Sequence, residues 1–145
     1  MFNLYYYFSP YRNSDRFSDF NTRIAHRAGV VVRSLPPDVT PYWYGERSIF
    51  FSHPTFRWEA QGRQVYDVFR DGRIAPRIPP PHGPAAFLAL PHQKPAWEAI
   101  QRLCPGGIAD ELRDSKDRLL FYFYSAPAES DCGQYASDVG ARSPD

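Results

Sequence analysis

A six-residue apolar run, Ala85 to Leu90, is the feature that most constrains this sequence. Gly83-Pro84 precedes it and Pro91 follows it, so the run is too short for a helix. It also lacks the alternation of apolar and polar residues that marks a half-buried strand. Such a run is typical of a strand covered on both faces in a parallel or mixed sheet. The rest of the chain is therefore expected to pack around a central strand.

The residues after this run predict a helix and a second strand. Pro95 suits the first turn of a helix, and Pro105-Gly106-Gly107 stops it. The helical spacing between these points is carried by Ala96, Trp97, Ile100 and Cys104. After a polar stretch, the aromatic run Leu119 to Tyr124 predicts another strand. Strand, crossover helix and strand together predict a βαβ-like unit.

A second helix is predicted before the central strand. Its apolar stripe, spaced by three and four residues, consists of Phe17, Phe20, Ile24, Ala28, Val31 and Leu35. Asn13-Ser14-Asp15 supplies N-cap candidates, and Pro36-Pro37 ends the helix because a residue before proline avoids the α conformation.

The segment between this helix and the central strand predicts further strands. Val39 to Tyr44 is aromatic and β-branched, and Gly45 closes it. Short strands are also predicted in Ser48 to Ser52 and in Thr55 to Trp58, while Val65 to Phe69 fits a strand or a turn. Asp71 to Pro84 is rich in arginine, proline and glycine and predicts a long loop.

These patterns predict an α/β fold in one small domain, with a mixed or parallel sheet of about four to five strands flanked by two main helices. Residues 13–125 form this domain. Residues 1–12 are an aromatic N-terminal collar, and residues 126–145 are expected to be a disordered tail because they are small, polar and aperiodic.

Charge and hydropathy exclude several classes of protein. The sequence has seventeen basic and sixteen acidic residues, so its net charge is too small to attract the chain to nucleic acid. No nucleic-acid partner is expected. No apolar run is long enough for a transmembrane helix, and the N-terminus lacks the charged and apolar blocks of a signal peptide. The sequence as given therefore predicts a soluble chain.

Metal and nucleophile chemistry find little support in the sequence. The four histidines stand at no metal-ligand spacing, so neither a metal site nor a cofactor is expected. Cys104 lies on the apolar face of its predicted helix, where a buried and inert thiol is the usual outcome. A disulfide between Cys104 and Cys132 requires an oxidising compartment, and the sequence leaves that pairing open.

The most suggestive candidate site follows the first predicted strand. Ligands of open α/β sheets bind beyond the carboxyl ends of the strands, so rings and charges there are suited to a sugar or phosphate. The candidate binding residues are Tyr42, Tyr44, Glu46, Arg47 and His53. An ordinary polar loop is the alternative interpretation.

A family resemblance emerges when the segments are taken in order. They are Asn21-Thr22-Arg23-Ile24-Ala25, Ser34-Leu35-Pro36-Pro37-Asp38, Tyr42-Trp43-Tyr44-Gly45, Pro54-Thr55-Phe56-Arg57-Trp58, Phe87-Leu88-Ala89-Leu90-Pro91, Cys104-Pro105-Gly106-Gly107 and Leu120-Phe121-Tyr122-Phe123-Tyr124, after the aromatic collar. Each motif is loose, and their shared order over residues 2–125 carries the resemblance. The chain resembles the C-terminal extracytoplasmic domain of bacterial GT-C-type membrane glycosyltransferases, the protein-mannosyltransferase and aminoarabinose-transferase relatives.

The resemblance implies an accessory α/β domain on the extracytoplasmic face of a membrane, beside an enzyme that uses a polyprenyl-phosphate sugar. In that family the catalytic acidic residue lies in the membrane body, and no residue here matches the catalytic motif, so the chain alone is expected to be non-catalytic. Relatives often carry a small residue and a proline where this chain has Glu46-Arg47-Ser48, which puts a ligand role for that loop in doubt.

The collar supplies the expected contact with the membrane or with the membrane enzyme. Its contact residues are Phe2, Leu4, Tyr5, Tyr6, Tyr7 and Phe8. Rings with one polar end favour the membrane interface, whereas an N-terminal strand or an arm packed on the domain is the other interpretation. A glycan or lipid-linked sugar is the expected ligand. The alternative function is a free-standing soluble protein that binds a sugar or phosphate through the loop after the Tyr42–Tyr44 strand.

Overall fold

The apolar run at Ala85 forms the middle strand of a five-stranded mixed sheet. The computed structural model describes residues 19–45, 49, 53–70, 73–74, 83–127 and 129–135. In chain order the elements are α1 (Phe20–Ser34), β1 (Thr40–Tyr44), α2 (Pro54–Ala60), β2 (Tyr66–Asp67), β3 (Phe69–Arg70), β4 (Arg73–Ile74), β5 (Ala85–Ala89), α3 (Lys94–Leu103), β6 (Ile108–Arg113) and β7 (Leu119–Ser125), with 3-10 turns at Pro91–Gln93 and Cys132–Tyr135.

The sheet has the strand order β2-β1-β5-β7-β6. Strands β1, β2 and β5 are mutually parallel, and β7 runs antiparallel to both of its neighbours, β5 and β6. Strands β3 and β4 pair separately as a two-stranded hairpin. The predicted α/β class with a mixed sheet is therefore confirmed.

Strand β5 is buried along its whole length. Phe87 points to one face, where its ring stacks on Tyr42 with centroids 5.3 Å apart, and Leu88 points to the other face beside Trp43. Helix α3 covers the Phe87 face, whereas α1 and α2 cover the Leu88 face. Because helices lie on both faces, neither side of β5 needs a polar residue, which confirms the interpretation of the apolar run.

Helices α1 and α2 lie side by side and run in the same direction. At their first residues, the pKa of the Asp19 carboxyl is lowered chiefly by hydrogen bonds from Thr22 and to a smaller extent by the charge of His53 at the start of α2. At the opposite end, the Arg63 guanidinium donates to the carbonyl oxygens of Leu35, Pro36 and Val39. Gly29 allows the helices to touch, because a Cβ atom there would lie 2.5 Å from the Glu59 Cβ.

Helix α1 confirms the predicted helix and its end before Pro36-Pro37. Its N-cap is Asp19, whose Oδ1 accepts a hydrogen bond of 2.7 Å from the Thr22 backbone N–H. The N-cap candidates at residues 13–15 and the aromatic collar lie outside the described residues, as does the segment predicted as a strand at 48–52 except for Ile49.

The strand predicted for Thr55 to Trp58 is wrong, because these residues belong to helix α2. Phe56 and Trp58 suggested an alternating strand, yet Phe56 is fully buried and Trp58 is 81% exposed. The pair that faces the core is Phe56 and Ala60, which are one helical turn apart. His53 caps this helix, and Pro54 occupies its first turn, a position that favours proline.

The predicted βαβ-like unit also needs a correction. Helix α3 and strand β7 form as expected, but β7 is antiparallel to β5. The strand that follows α3 in the chain and runs parallel to β5 is β6, which the sequence analysis left within a polar stretch. Strand β6 is the edge of the sheet and is exposed along almost all of its length, so it carries no apolar pattern.

The folded part of the chain extends beyond residue 125, after which the sequence analysis predicts a disordered tail. Residues Cys132–Tyr135 form a 3-10 turn, and Cys132 is buried in the α3 face of the core. Cys132 is joined to Cys104 at the end of α3 by a disulfide, with Cα atoms 6.0 Å apart. Residues 136–145 of the predicted tail lie outside the described residues. In the part of the chain that the structure describes, no helix is both long and apolar enough to cross a membrane.

Replacement of Gly29 by alanine tests the close approach of α1 and α2. A Cβ atom at this position would lie 2.9 Å from the Phe56 carbonyl oxygen as well as against Glu59. We expect G29A to lower the free energy of unfolding by about 1–3 kcal/mol, because overpacking outweighs the gain in helix propensity. Guanidinium denaturation measures the change, with R27A at an exposed position of the same helix as the control. A stabilised G29A protein would contradict the contact.

Candidate functional site

The carboxyl ends of β1 and β5 meet at a topological switch point. The two strands are neighbours and parallel. The chain leaves β1 through α2 on one face of the sheet and leaves β5 through α3 on the other. In open α/β sheets, connections that diverge in this way leave a crevice in which ligands bind. We call this place the β1–β5 crevice, formed by Gly45 on one side and by Leu90 to Gln93 on the other.

The β1 side of the crevice is held by a tryptophan. The Trp43 indole Nε1 donates a buried hydrogen bond of 2.8 Å to the carbonyl oxygen of Ile49. The indole thereby passes directly over Gly45, where a Cβ atom would lie 2.2 Å from Nε1. Only glycine fits this position, so the end of the strand and the return of the loop at Ile49 are fixed together.

The β5 side is tied to the β1 side by two hydrogen bonds. The Leu90 backbone N–H donates to the Tyr44 carbonyl oxygen at 3.0 Å, and the Gln93 side-chain Nε2 donates to the Gly45 carbonyl oxygen at 3.3 Å. His92 lies beside Gln93, with ring Nε2 3.4 Å from the Gln93 amide nitrogen, and its side chain is exposed. The crevice therefore presents an imidazole, an amide and the main chain at the start of α3.

The chemistry of this edge suits a polar or anionic group. No side chain caps the N-terminus of α3 or of the 3-10 turn before it. Pro91 and Pro95 have no N–H group, and the backbone N–H groups of Gln93 and Lys94 already donate to Leu90 and Pro91, so the polar groups at this edge are the His92 imidazole and the Gln93 amide. Lys94, which is about half exposed, follows directly and pairs with Glu98 at 3.8 Å.

The structure places two of the predicted binding residues in the core. Tyr42 and Tyr44 are 1% and 0% exposed and point to the α3 face of β1. Burial raises the pKa of both hydroxyl groups, so these side chains remain neutral. A ring at the end of a strand reaches a ligand only where one face of the sheet is open, and both faces of β1 are covered.

The other predicted residues do not join them. His53 caps α2 on the opposite face of the sheet, where its Nδ1 accepts a hydrogen bond of 3.3 Å from the Thr55 backbone N–H. Glu46 and Arg47 lie outside the described residues, so their role in ligand binding stays a prediction.

His92 and Gln93 are the residues of this edge that the sequence analysis missed. The sequence did contain a signal for these two residues. They follow the carboxyl end of the most clearly predicted strand, which is where ligands bind in open α/β sheets. The same rule that singled out the loop after β1 applies to the loop after β5. Knowledge that β1 and β5 are neighbours, however, requires the sheet order.

Asp114 anchors the far end of the same edge. Its carboxylate accepts hydrogen bonds from the backbone N–H groups of Lys116 and Arg118 and from the Arg118 side-chain Nε at 2.8 Å. The Arg23 guanidinium of α1 lies 3.5 Å away. Burial acts to raise the pKa of Asp114, but the hydrogen bonds from Arg118 and Lys116 and the Arg118 charge lower it overall.

These features define an α/β domain with a topological switch point between β1 and β5 at the carboxyl edge of its sheet. Within the described ranges, no three histidine, cysteine or acidic side chains come together as metal ligands. We found no match to this chain among protein family models, curated proteins or solved structures.

Acid titration tests the role of Asp114. Its pKa in the folded protein lies below the usual value of about 3.8, so its stabilising contribution is complete above that pH and is lost as the pH falls through the folded pKa. We expect D114N to be less stable than the wild type at neutral pH and to show a shallower loss of stability between about pH 5 and pH 2. Urea denaturation at each pH measures both effects.

The control is D117N, which removes the same charge from the same turn at a side chain that is 89% exposed. It should retain the pH dependence of the wild type. Equal slopes in D114N and the wild type would show that Asp114 does not contribute to acid stability.

Proposed function

We propose that this chain is a non-catalytic accessory domain on the extracytoplasmic side of a membrane, beside a GT-C-type glycosyltransferase that uses a polyprenyl-phosphate sugar. The observation that carries the proposal is the Cys104–Cys132 disulfide. Disulfides form and persist in oxidising compartments and are rare in the cytosol of mesophiles.

The burial of the disulfide supports a structural role. Cys104 and Cys132 are 7% and 0% exposed, so soluble reductants have little access to the bond. It fixes the turn after β7 to the end of α3, and the same segment receives a hydrogen bond from the Gly83 backbone N–H to Asp131 Oδ1. The turn at Cys132 thus joins parts of the chain that are distant in sequence.

The position of the N-terminal segment also supports the proposal. Helix α1 begins at the end of the sheet where β1 and β5 end, because Arg23 in its first turn lies 3.5 Å from Asp114 in the turn between β6 and β7. Residues 1–18 therefore join the described domain at the edge that holds the β1–β5 crevice.

The cross-link is tested in the cells that make the protein. Thiols are trapped by acid and alkylation in intact cells, and a non-reducing digest is then searched for the peptide pair that joins Cys104 to Cys132. We expect the joined pair in nearly all of the protein. Two alkylated cysteines in the native protein would remove the main support for an extracytoplasmic location.

The same bond predicts a stability change. The double variant C104S/C132S should lose about 3–4 kcal/mol of unfolding free energy, since the bond closes a loop with a sequence separation of 28 residues. Denaturation of the wild type with and without reductant is the matched control, because it breaks the same bond without a substitution.

A second candidate function is a free-standing soluble protein that binds a sugar or phosphate. The observation that favours it is the β1–β5 crevice, where Gln93 bridges the two strand ends and the start of α3 lacks a side-chain cap. This candidate requires neither a membrane nor a partner enzyme.

Titration with inorganic phosphate and, separately, with mannose tests this candidate by amide NMR. We expect the amides of Gly45, His92 and Gln93 to shift in a saturable manner, and Q93A to weaken binding by about tenfold through loss of one hydrogen-bonding group. The control is Q101A, another glutamine near α3 whose side chain donates to the Trp97 carbonyl oxygen. Unchanged crevice amides with both probes would eliminate the candidate and leave the disulfide argument intact.

A further inference from the structure

Trp58 is the most exposed large apolar side chain among the described residues. It is 81% exposed, although tryptophan has one of the largest apolar surfaces of any residue. Trp58 stands two residues from both Phe56 and Ala60, which face the sheet. At 3.6 residues per turn, this separation places it about 200° around the helix from the first of them. The indole therefore points directly away from the sheet.

The surface around Trp58 is basic. Of the four arginines on α1 and α2, Arg23 pairs with Asp114 at 3.5 Å and Arg33 pairs with Glu59 at 3.7 Å, which leaves Arg27 and Arg57 as the exposed ones. Glu59 is 15% exposed and is already engaged by His26 at 3.0 Å and Arg33 at 3.7 Å. Arg57 and Arg27 are exposed. The helices therefore offer cations to a partner, while their acidic group is turned inward.

The segment that contains α3, β6 and β7 has an acidic excess. From Lys94 to Tyr135, five basic residues stand against seven acidic ones, which gives a net charge of −2. The chain is nearly neutral as a whole, so the acidic excess of this segment is offset by basic residues elsewhere in the chain. An anionic plane would orient such a domain with α1 and α2 toward it.

We propose that the outer face of α1 and α2, centred on Trp58 and called here the tryptophan face, rests on an anionic lipid surface. The indole ring sits at the level of the lipid headgroups, where tryptophan is favoured, and Arg57 and Arg27 bind lipid phosphates. Each arginine near such a surface contributes favourably, and the contribution weakens with salt. The inference rests on the proposed function for the presence of a membrane and adds which face of the domain meets it.

This contact differs from the one predicted for the collar. The collar lies in residues 1–12, whereas the tryptophan face consists of described residues on two packed helices. Two separate attachments, an aromatic segment and a basic face, would hold the domain in one orientation on the membrane, which one attachment alone does not achieve.

Vesicle binding by the full chain tests the proposal. The vesicles are phosphatidylcholine alone, or phosphatidylcholine with about one quarter phosphatidylglycerol, each prepared with and without brominated acyl chains. Trp43 and Trp97 are buried, at 0% and 9% exposed, so fluorescence quenching by bromine reports on Trp58. We expect quenching and a blue shift with the anionic vesicles, both reduced by added salt.

Variants localise the contact. R57Q should weaken binding to the anionic vesicles about fivefold, which corresponds to about 1 kcal/mol per arginine near an anionic surface. W58A should weaken it by at least as much and abolish the quenching. The matched controls are R102Q and L103A, exposed residues at the end of α3 that should bind like the wild type. Thermal denaturation of each variant verifies that it is folded.

Three outcomes would overturn the proposal: full binding by W58A and R57Q, equal loss in the α3 controls, or a Trp58 signal that responds to mannose and not to vesicles. The last outcome would make Trp58 a sugar-stacking residue. Binding that depends on residues 1–12 and is indifferent to Trp58 would reject the tryptophan face while leaving the accessory function in place. Free thiols at Cys104 and Cys132 in cells would reject the function independently of any vesicle result.

Discussion

The fold depends on the double coverage of the neighbouring strands β1 and β5. Phe87, Leu88 and the residues of β1 beside them are buried on both faces, so each strand contributes apolar area to two layers of helices. Large buried side chains such as Phe87 and Trp43 are worth about 1.5–3 kcal/mol each in apolar burial, which makes this pair the energetic centre of the domain. The short alanines of β5 allow rings from β1 and β7 to fill the space above and below it.

The same coverage decides which residues of the first strand remain available for function. Tyr42 and Tyr44 are used to fill the α3 face, and Trp43 fills the other face while its indole N–H fixes the returning loop. A ligand at this edge therefore meets the ends of the strands, where main chain, His92 and Gln93 are presented. Among the described residues, no charged side chain belongs to the buried core, where desolvation of an unpaired charge would be costly.

The elements away from strands β1 and β5 carry the exposed side chains of the domain. Strand β6 pairs on one side with β7 and is the edge of the sheet, so most of its side chains, apolar Ile108 included, remain exposed. On α2, the side facing the sheet is occupied by Phe56 and Ala60, and the opposite side is free to carry Trp58 and Arg57. Arg27 and Arg57 are exposed on α1 and α2, whereas the segment from Lys94 to Tyr135 has an acidic excess, so the charge of the described domain is unevenly distributed. The membrane contact proposed above depends on these two arginines and on the exposed indole of Trp58.

By itself, the sequence determined the elements that have a clear pattern of apolar residues and that end at prolines or glycines. The buried run at Ala85, the amphipathic helices ending at Pro36 and Pro105, and the aromatic strand at Leu119 needed no knowledge of their neighbours. Tertiary structure alone decided the rest. Phe56 and Trp58 suggest a strand until the sheet selects Phe56 and Ala60 as the buried pair. Strand β6 has no apolar pattern because its stability comes from pairing with β7. The disulfide and the β1–β5 crevice arise because residues distant in the chain are brought together, and the spacing of residues in a sequence carries no information on that proximity.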